Sequence, residues 1–277
     1  MVADVTGAPA NSTIDPGPEG TRFTEIRRVD ETGSTNADLL VAASAGAGDG
    51  LVLVAEHQSA GRGRLDRVWE APVGSSLLVS VLLRPPLVPA DAFLLTNAAG
   101  VAAVEASRLV AGCTPGLKWP NDLVAVAGDR HRGRKLGGIL AEARVVGGRL
   151  ETVVVGLGLN VNWPDPLPPA LAGTVDALNH LVGHEVDRAA LLDAWLRRLD
   201  HWLDVLGDGS GRVALLERVR MVSATLGRDV TVELPGGRTV EGEAVDVTDS
   251  GHLLVQPVAG GPPVEVAVGD VVHARPR

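Results

Sequence analysis

The sequence predicts an α+β fold: a mixed β-sheet with helices, followed by a small β-barrel. Three observations carry this. Apolar runs of strand length recur at residues 51–58, 75–83, 117–126, 135–146 and 150–161. Apolar side chains at three- and four-residue steps mark helices at 90–110 and again beyond Asp187. Near residue 222 the texture changes to short alternating stretches, DVTVEL, TVEGEAVDV, HLLVQPV and VEVAVGDVVHA, separated by PGG, DSG and GG turns, the pattern of a small barrel.

Taken in order, residues 1–22 are rich in Pro, Gly, Asp and Ser, lack the features of a signal peptide, and are expected to form a flexible tail. Ser34 or Thr35 caps a short helix through NADLLVAASAG that ends at Gly46 or Gly48. The strand at 51–58 stops just before a loop, GRGRLDRVWE, and the strand at 75–83 is closed by Arg84 and Pro85-Pro86. In the next helix Leu94, Ala98, Val101 and Leu109 fit the helical spacing, and Gly112 lies beyond its end. AGDRHRGR, residues 127–134, is a polar turn, and Gly147-Gly148 suits a tight hairpin between the last two long strands. Beyond Asp187, Leu192, Trp195, Leu196, Leu199, Trp202, Leu203 and Leu206 form an amphipathic helix, with Trp195 and Trp202 as core candidates. A shorter helix covers 212–221. The main domain is thus placed at 23–221 and the barrel at 222–277.

The 277 residues, 45% of them apolar, suffice for one sizeable core and a small one. A net charge of -9 argues against a general binder of nucleic acid or membrane surface, so any phosphate chemistry must be local. The single Cys113 excludes an intramolecular disulfide and a multi-cysteine zinc site, and a reducing cytosol is the expected compartment. No uninterrupted apolar run reaches the ~18 residues of a simple membrane-spanning helix.

Four segments carry chemistry. Arg62, Arg64 and Arg67 lie on a glycine-bearing loop after a buried strand, where guanidinium groups can surround an anion; a solvated turn would look the same, but Trp69 just downstream offers a ring to stack on a planar base. In LKWPNDLV, residues 117–124, Lys118, Asn121 and Asp122 flank a break in a strand, as a site or as an ordinary Pro-Asn-Asp turn. In RKLGGILAE, Lys135 opens an apolar strand and Gly137-Gly138 lets a ligand or another backbone come close. In VVVGLGLNVNW the G-x-G lacks the third glycine and the helix of a dinucleotide fingerprint, whereas Asn160 and Asn162 share one strand face. His180 and His184 are four apart, but Gly183 between them and the want of a third ligand favour a loop over a metal site. Glu142 reads as a solvated carboxylate.

In this order, Ser34-Thr35-Asn36, Gln58 to Arg64 with Trp69, Lys118 to Asp122, Lys135 to Leu140 and Gly158 to Asn162 resemble the motifs of the biotin protein ligases. The match spans roughly residues 24–277. The resemblance implies a core similar to class II aminoacyl-tRNA synthetases plus a C-terminal SH3-like domain. It implies ATP with Mg²⁺, biotinyl-5′-AMP as intermediate, and transfer of biotin to a lysine of a biotin carboxyl carrier domain. Ser34, Thr35, Asn36, Gln58, Gly61, Arg62, Lys135 and Gly137 would meet biotin. Arg64, Arg67, Trp69, Asn121, Lys135 and Asn160 would meet ATP or the adenylate. Lys135, Arg62 and Asp122 would carry the chemistry, with Asp122 as base or orienter, and the arginine loop would close over the ligand.

One departure is Asp66, where many members of the family carry glycine; an ion pair with Arg64 or Arg67 in the open loop is expected of it. About 30 residues precede Ser34, too few for a helix-turn-helix domain, so a catalytic form without DNA binding, monomeric or weakly dimeric, is expected. The rival readings are a lipoate or octanoate ligase of the same fold and a non-catalytic biotin-binding regulator.

Overall fold

The computed structural model describes residues 12–126, 131–169, 171–234, 236, 238–267 and 270–273. Its elements run β1 (Thr13–Pro16), β2 (Glu25–Thr32), α1 (Thr35–Ser44), β3 (Leu51–Gln58), β4 (Ser76–Leu83), α2 (Phe93–Ala111), β5 (Gly116–Lys118), β6 (Asp122–Val124), β7 (Lys135–Val146) and β8 (Arg149–Asn160). Then follow α3 (Leu178–Val182), α4 (Arg188–Gly207), α5 (Gly211–Met221), β9 (Asp229–Glu233), β10 (Thr239–Val247), β11 (Leu253–Pro257), β12 (Val264–Val266) and β13 (Asp270–His273). Eight strands form one mixed sheet in the order β1-β2-β3-β4-β8-β7-β6-β5, in which β2 and β3 are parallel and the other neighbours antiparallel. The last five make a small antiparallel sheet, β12-β11-β10-β9-β13, around its own core of Val230, Val232, Ala244, Val247, Leu253 and Val255. This is the α+β arrangement with a small C-terminal β unit that the sequence predicts.

Strand alternation sorts the main sheet into two faces. Val52, Val54, Leu77, Val79, Val81, Val153, Val155 and Leu157 pack against α2, α4 and α5, where Trp195 is fully buried and Trp202 nearly so. Each indole is anchored as well as packed: Trp195 donates to the Ala99 carbonyl at 3.1 Å and Trp202 to Glu105 at 3.2 Å. On the other face Val29, Leu51, Leu53, Leu82 and Val154 receive Leu39 and Ala42 of α1. That helix starts as expected: Ser34 is the N-cap, its hydroxyl accepting from the Ala37 amide. Because α1 is only ten residues long, it covers β3, β4 and part of β8 and leaves most of β7 to other segments.

Three expectations need correction, and one strand goes unread. The tail is not free over residues 13–22: β1 pairs with β2, and Arg22 binds Asp200 and Asp204 of α4. β2 itself escapes a pattern search because its buried Ile26 and Val29 are three apart and Arg27-Arg28 stand between them. The segment at 117–126 is no single strand but a hairpin, β5 and β6 turning at Trp119-Pro120-Asn121. Residues 89–91 form a separate 3₁₀ turn before α2. Of the turn at 127–134, residues 127–130 lie outside the described ones. The hairpin glycines behave as expected, Gly147 and Gly148 having φ of 58° and 77°.

By length and composition the stretch Pro89–Ala111 could cross a membrane. Its buried residues, among them Leu94, Leu95, Ala98, Val101 and Val104, instead form the middle of the core beneath α4, while Leu109 of the same helix is exposed.

Candidate active site

On the α1 face, the N-terminus of α1, strands β7 and β8, the loop at 61–69 and the turn at 118–122 enclose a cleft of about 990 Å³ including its open mouth. Ser34, Thr35, Asn36, Gln58, Arg62, Arg64, Arg67, Trp69, Asn121, Asp122 and Lys135 all line it, so segments far apart in sequence converge on one space. Five cations, Arg62, Arg64, Arg67, Lys118 and Lys135, stand in its wall against the carboxylate of Asp122. The acidic chain thus holds a local positive field suited to an anion.

At one end the groups are neutral and interlocked. The Thr35 amide and hydroxyl both donate to Gln58 Oε1, at 2.8 and 3.0 Å, which fixes the Gln58 carboxamide and leaves its N–H donors for a ligand. The Thr35 and Ser80 hydroxyls are 2.7 Å apart, Ser80 donates to Asn36 Oδ1 at 2.6 Å, and Asn36 Nδ2 donates to Glu142 at 2.8 Å. Gly61 backs this end without lining it: a Cβ there would stand 2.5 Å from the Trp69 carbonyl and 3.2 Å from the Gln58 amide nitrogen.

The arginine loop is folded over the cleft. Trp69 N–H donates to the Gly61 carbonyl at 2.9 Å and Gly63 N–H to the Arg67 carbonyl at 2.6 Å. Leu65 at its tip has φ of 55°, a left-handed conformation that costs a leucine about 1–2 kcal/mol. Arg64 donates to Asn121 Oδ1 at 3.3 Å, and Asn121 in turn donates to the Ile139 carbonyl at 2.7 Å, which links the loop to β7. The side chain of Asp66, and with it the expected ion pair, lies outside the described residues.

The floor is built from glycines, Gly158 on β8 beside the Gly137-Gly138 pair of β7. A Cβ on Gly158 would lie 2.7 Å from the Trp69 ring, so the indole rests directly on the β8 backbone. Gly138 faces the cleft beside Lys135 and Asp122, whereas Gly137, one residue earlier, faces the other way and abuts the Gly158 carbonyl. Of the two alternatives for the Gly-Gly pair, each glycine therefore fulfils one: Gly138 opens space and Gly137 admits a backbone. The legible signal was the two-residue spacing of Gly156 and Gly158, which puts both on one strand face.

Lys135 Nζ sits 2.7 Å from Asp122 Oδ1 and 5.5 Å from the centre of the Trp69 ring. Its backbone is clamped, the amide donating to the Thr174 carbonyl at 2.9 Å and the carbonyl accepting from the Asp176 amide at 2.8 Å. Asn160 does not line the cleft. It is buried, donates to the Asp176 carbonyl at 2.9 Å, and its Oδ1 has no partner among the described residues. Asn162 is taken up by Val186, to which it both donates and accepts at 2.9 Å.

Asp176 is buried and binds His131 at 2.6 Å, His180 at 2.7 Å and Arg134 at 3.3 Å. Burial alone would raise its pKa, but hydrogen bonds from His131, His180 and the Ala177 amide, with the charge on His131, outweigh it and hold the carboxyl below its usual value. His180 belongs to α3 rather than to a loop, and the helix ends at Gly183, so His184 lies outside it. Among the described residues no group of three or more His, Cys, Asp or Glu is placed to hold a metal on its own.

Residues 27–160 match the Biotin/lipoate A/B protein ligase family and residues 225–273 the Biotin protein ligase C terminal domain. That pairing defines the class. The chain is 40% identical over 262 residues to the biotin–[acetyl-CoA-carboxylase] ligase of Mycobacterium tuberculosis, covering 92% of this chain and 91% of that one. It is 31% identical over 210 residues to the bifunctional ligase/repressor BirA of Bacillus subtilis, covering 75% of this chain but only 62% of that longer protein. The structure superposes on the Aquifex aeolicus biotin protein ligase solved with biotin and ATP with a TM-score of 0.75, at 25% identity, over 91% of this chain and 99% of that one. The chain belongs to the biotin protein ligase family.

Proposed function

We propose that this chain, an ATP-dependent ligase, joins biotin to a lysine of a biotin carboxyl carrier domain, with 23–221 as the catalytic unit and 222–277 as its SH3-like partner. The observation that carries the reading is the polarity of the cleft. Its Thr35–Gln58–Ser80–Asn36 end offers neutral, oriented hydrogen bonds suited to a ureido ring. Its other end gathers Arg64, Arg67 and Lys135 beside a tryptophan laid on glycine, suited to a nucleotide.

In the first half-reaction a biotin carboxylate oxygen bonds to the α-phosphorus of ATP and the bond to pyrophosphate breaks. Two anions must approach, so Lys135 and the arginines act where negative charge gathers. Mg²⁺ would be held chiefly by the substrate phosphates, with Asp122 as the one carboxylate of the cavity lining at most a minor contributor, and would supply further charge neutralisation there. In the second half-reaction the acceptor amine attacks the carbonyl carbon of the mixed anhydride, AMP leaves, and the amine proton passes to a base. A lysine with a pKa of about 10.4 is rarely unprotonated at pH 7. Asp122, on the cleft wall beside Lys135, is the carboxylate placed to receive or orient that proton.

The same polar end favours biotin over lipoate or octanoate, whose tails would leave the N–H donors of Gln58 without a partner. The test is exchange of labelled pyrophosphate into ATP with biotin, lipoate and octanoate in parallel. Exchange with biotin alone is expected. Exchange with an acyl acid instead would keep the mechanism and overturn the specificity, and no exchange with any would leave a regulator that binds without turning over.

A further inference from the structure

Glu142, which sequence reading treats as a solvated carboxylate, closes the polar chain at the neutral end of the cleft. It lies on β7 two steps beyond Leu140 on the face of Gly138, and its side chain is 25% exposed. One carboxylate serves two partners: it accepts from Asn36 Nδ2 at 2.8 Å and from Arg62 Nη2 at 3.1 Å. Arg62 lies on the loop folded over the cleft, and it forms part of the cleft wall. Only Nη2 engages Glu142, so Nε and Nη1 remain available to an incoming anion.

We propose that Glu142 is a positioning residue for the ligase reaction: it anchors Arg62 in the cleft through one nitrogen and leaves the rest of the guanidinium to the biotin carboxylate or the α-phosphate. The gain is entropic. A long arginine side chain loses considerable rotamer freedom when a ligand orders it, and a partner that orders it beforehand removes that cost from binding. The anchor also joins the loop to the α1 cap through Asn36, Ser80 and Thr35, so the residues expected around the ureido ring and the cation expected at the carboxylate share one hydrogen-bonded chain. The inference rests on the ligase reading, and its test separates the two.

Glu142→Gln keeps an acceptor for Asn36 but removes the charge that holds Arg62. In biotin-dependent pyrophosphate exchange it is expected to lower kcat/KM for biotin about tenfold, the scale of one charge-assisted hydrogen bond. In an Arg62→Ala background the same substitution is expected to cost less than about twofold, because the group it positions is gone. A role confined to folding or to Asn36 would instead cost the same in both backgrounds, and that result, or an unchanged kcat/KM, would overturn the proposal. Tryptic cleavage after Arg62 in the ligand-free proteins gives a readout independent of turnover: faster cleavage of Glu142→Gln is expected, and equal rates would count against the anchor. Wild type that shows no biotin-dependent exchange would bring down the ligase reading, while the cleavage rates would still decide whether Glu142 holds Arg62.

Discussion

The Lys135 ammonium is 2.7 Å from the Asp122 carboxylate, a contact made across the β6–β7 pair at the point where the strand register shifts. Each group therefore conditions the other. Lys135→Ala removes a cation from the place where phosphate charge gathers and leaves Asp122 as an uncompensated anion there. Biotin-dependent pyrophosphate exchange is expected to fall about 10²–10³-fold, the range seen when one stabilising donor is lost. Asp122→Asn keeps the cation, so exchange should stay within about tenfold while transfer to a carrier lysine drops further, the loss expected of a general base being about 10²-fold or more. Measuring exchange and transfer separately on both variants checks the assignment, and equal losses in both steps for Asp122→Asn would place its role outside proton handling.

Gly158 and Gly137 predict two different failures. A Cβ on Gly158 would stand 2.7–3.0 Å from three atoms of the Trp69 indole. Since the indole can tilt away, Gly158→Ala is expected to raise KM for ATP while moving the melting temperature little. A Cβ on Gly137 would instead press at 2.7 Å on the Gly158 carbonyl, backbone that cannot move without parting β7 from β8. Gly137→Ala is expected to cost about 1–3 kcal/mol of stability, seen as a drop of several degrees in melting temperature. Thermal melts and ATP titrations on the pair distinguish the two roles.

How much of this was legible in the sequence depends on how local each signal is. Ser34 as a cap, the strand at 51–58 and the amphipathic α4 follow from hydrogen-bonding and periodicity rules that act within a few residues. The motif residues from Ser34 to Lys135 could be named, and the fold brings most of them to one cleft. Their partners could not be read, because β2 hides its two buried residues behind adjacent arginines, and Glu142 meets Arg62 only through the 80-residue excursion that returns β7 to the arginine loop. Gly137 and Asn160 were placed in the site by motif, yet strand alternation turns Gly137 to the helical face and Asp176 covers Asn160. The Asp176 and His131 contact was equally out of reach, since His131 comes from a turn 45 residues earlier.

Cys113 lies half-buried behind the C-terminus of α2, and burial pushes its thiol up to about 11, partly offset by a hydrogen bond to its own backbone. At pH 8 only about one molecule in a thousand then carries the reactive thiolate. Iodoacetamide should therefore label the native protein far more slowly than the urea-unfolded chain, and labelling should leave the exchange activity of the surviving native fraction intact. Fast native labelling would contradict the burial of the thiol.

Asp176 makes stability depend on pH in a defined window. Its folded pKa is lowered from the ordinary 3.8, so the folded state favours the ionised form. The stabilisation is then fully present above the unfolded value and is lost as pH falls through the lower, folded one. Asp176→Asn lacks the charge at every pH and leaves His131, His180 and Arg134 facing a neutral amide. Breaking a buried charged network of this kind costs about 3–5 kcal/mol. The melting temperature of the variant should lie well below wild type between pH 5 and 7, and the gap should narrow below about pH 4 as the wild-type carboxyl takes up its proton. Melts at half-unit steps from pH 3 to pH 7 follow the gap directly. A gap that stays constant down to pH 3 would show that shape and hydrogen bonding at this position, rather than the carboxylate charge, hold the 131–135 segment against Asp176.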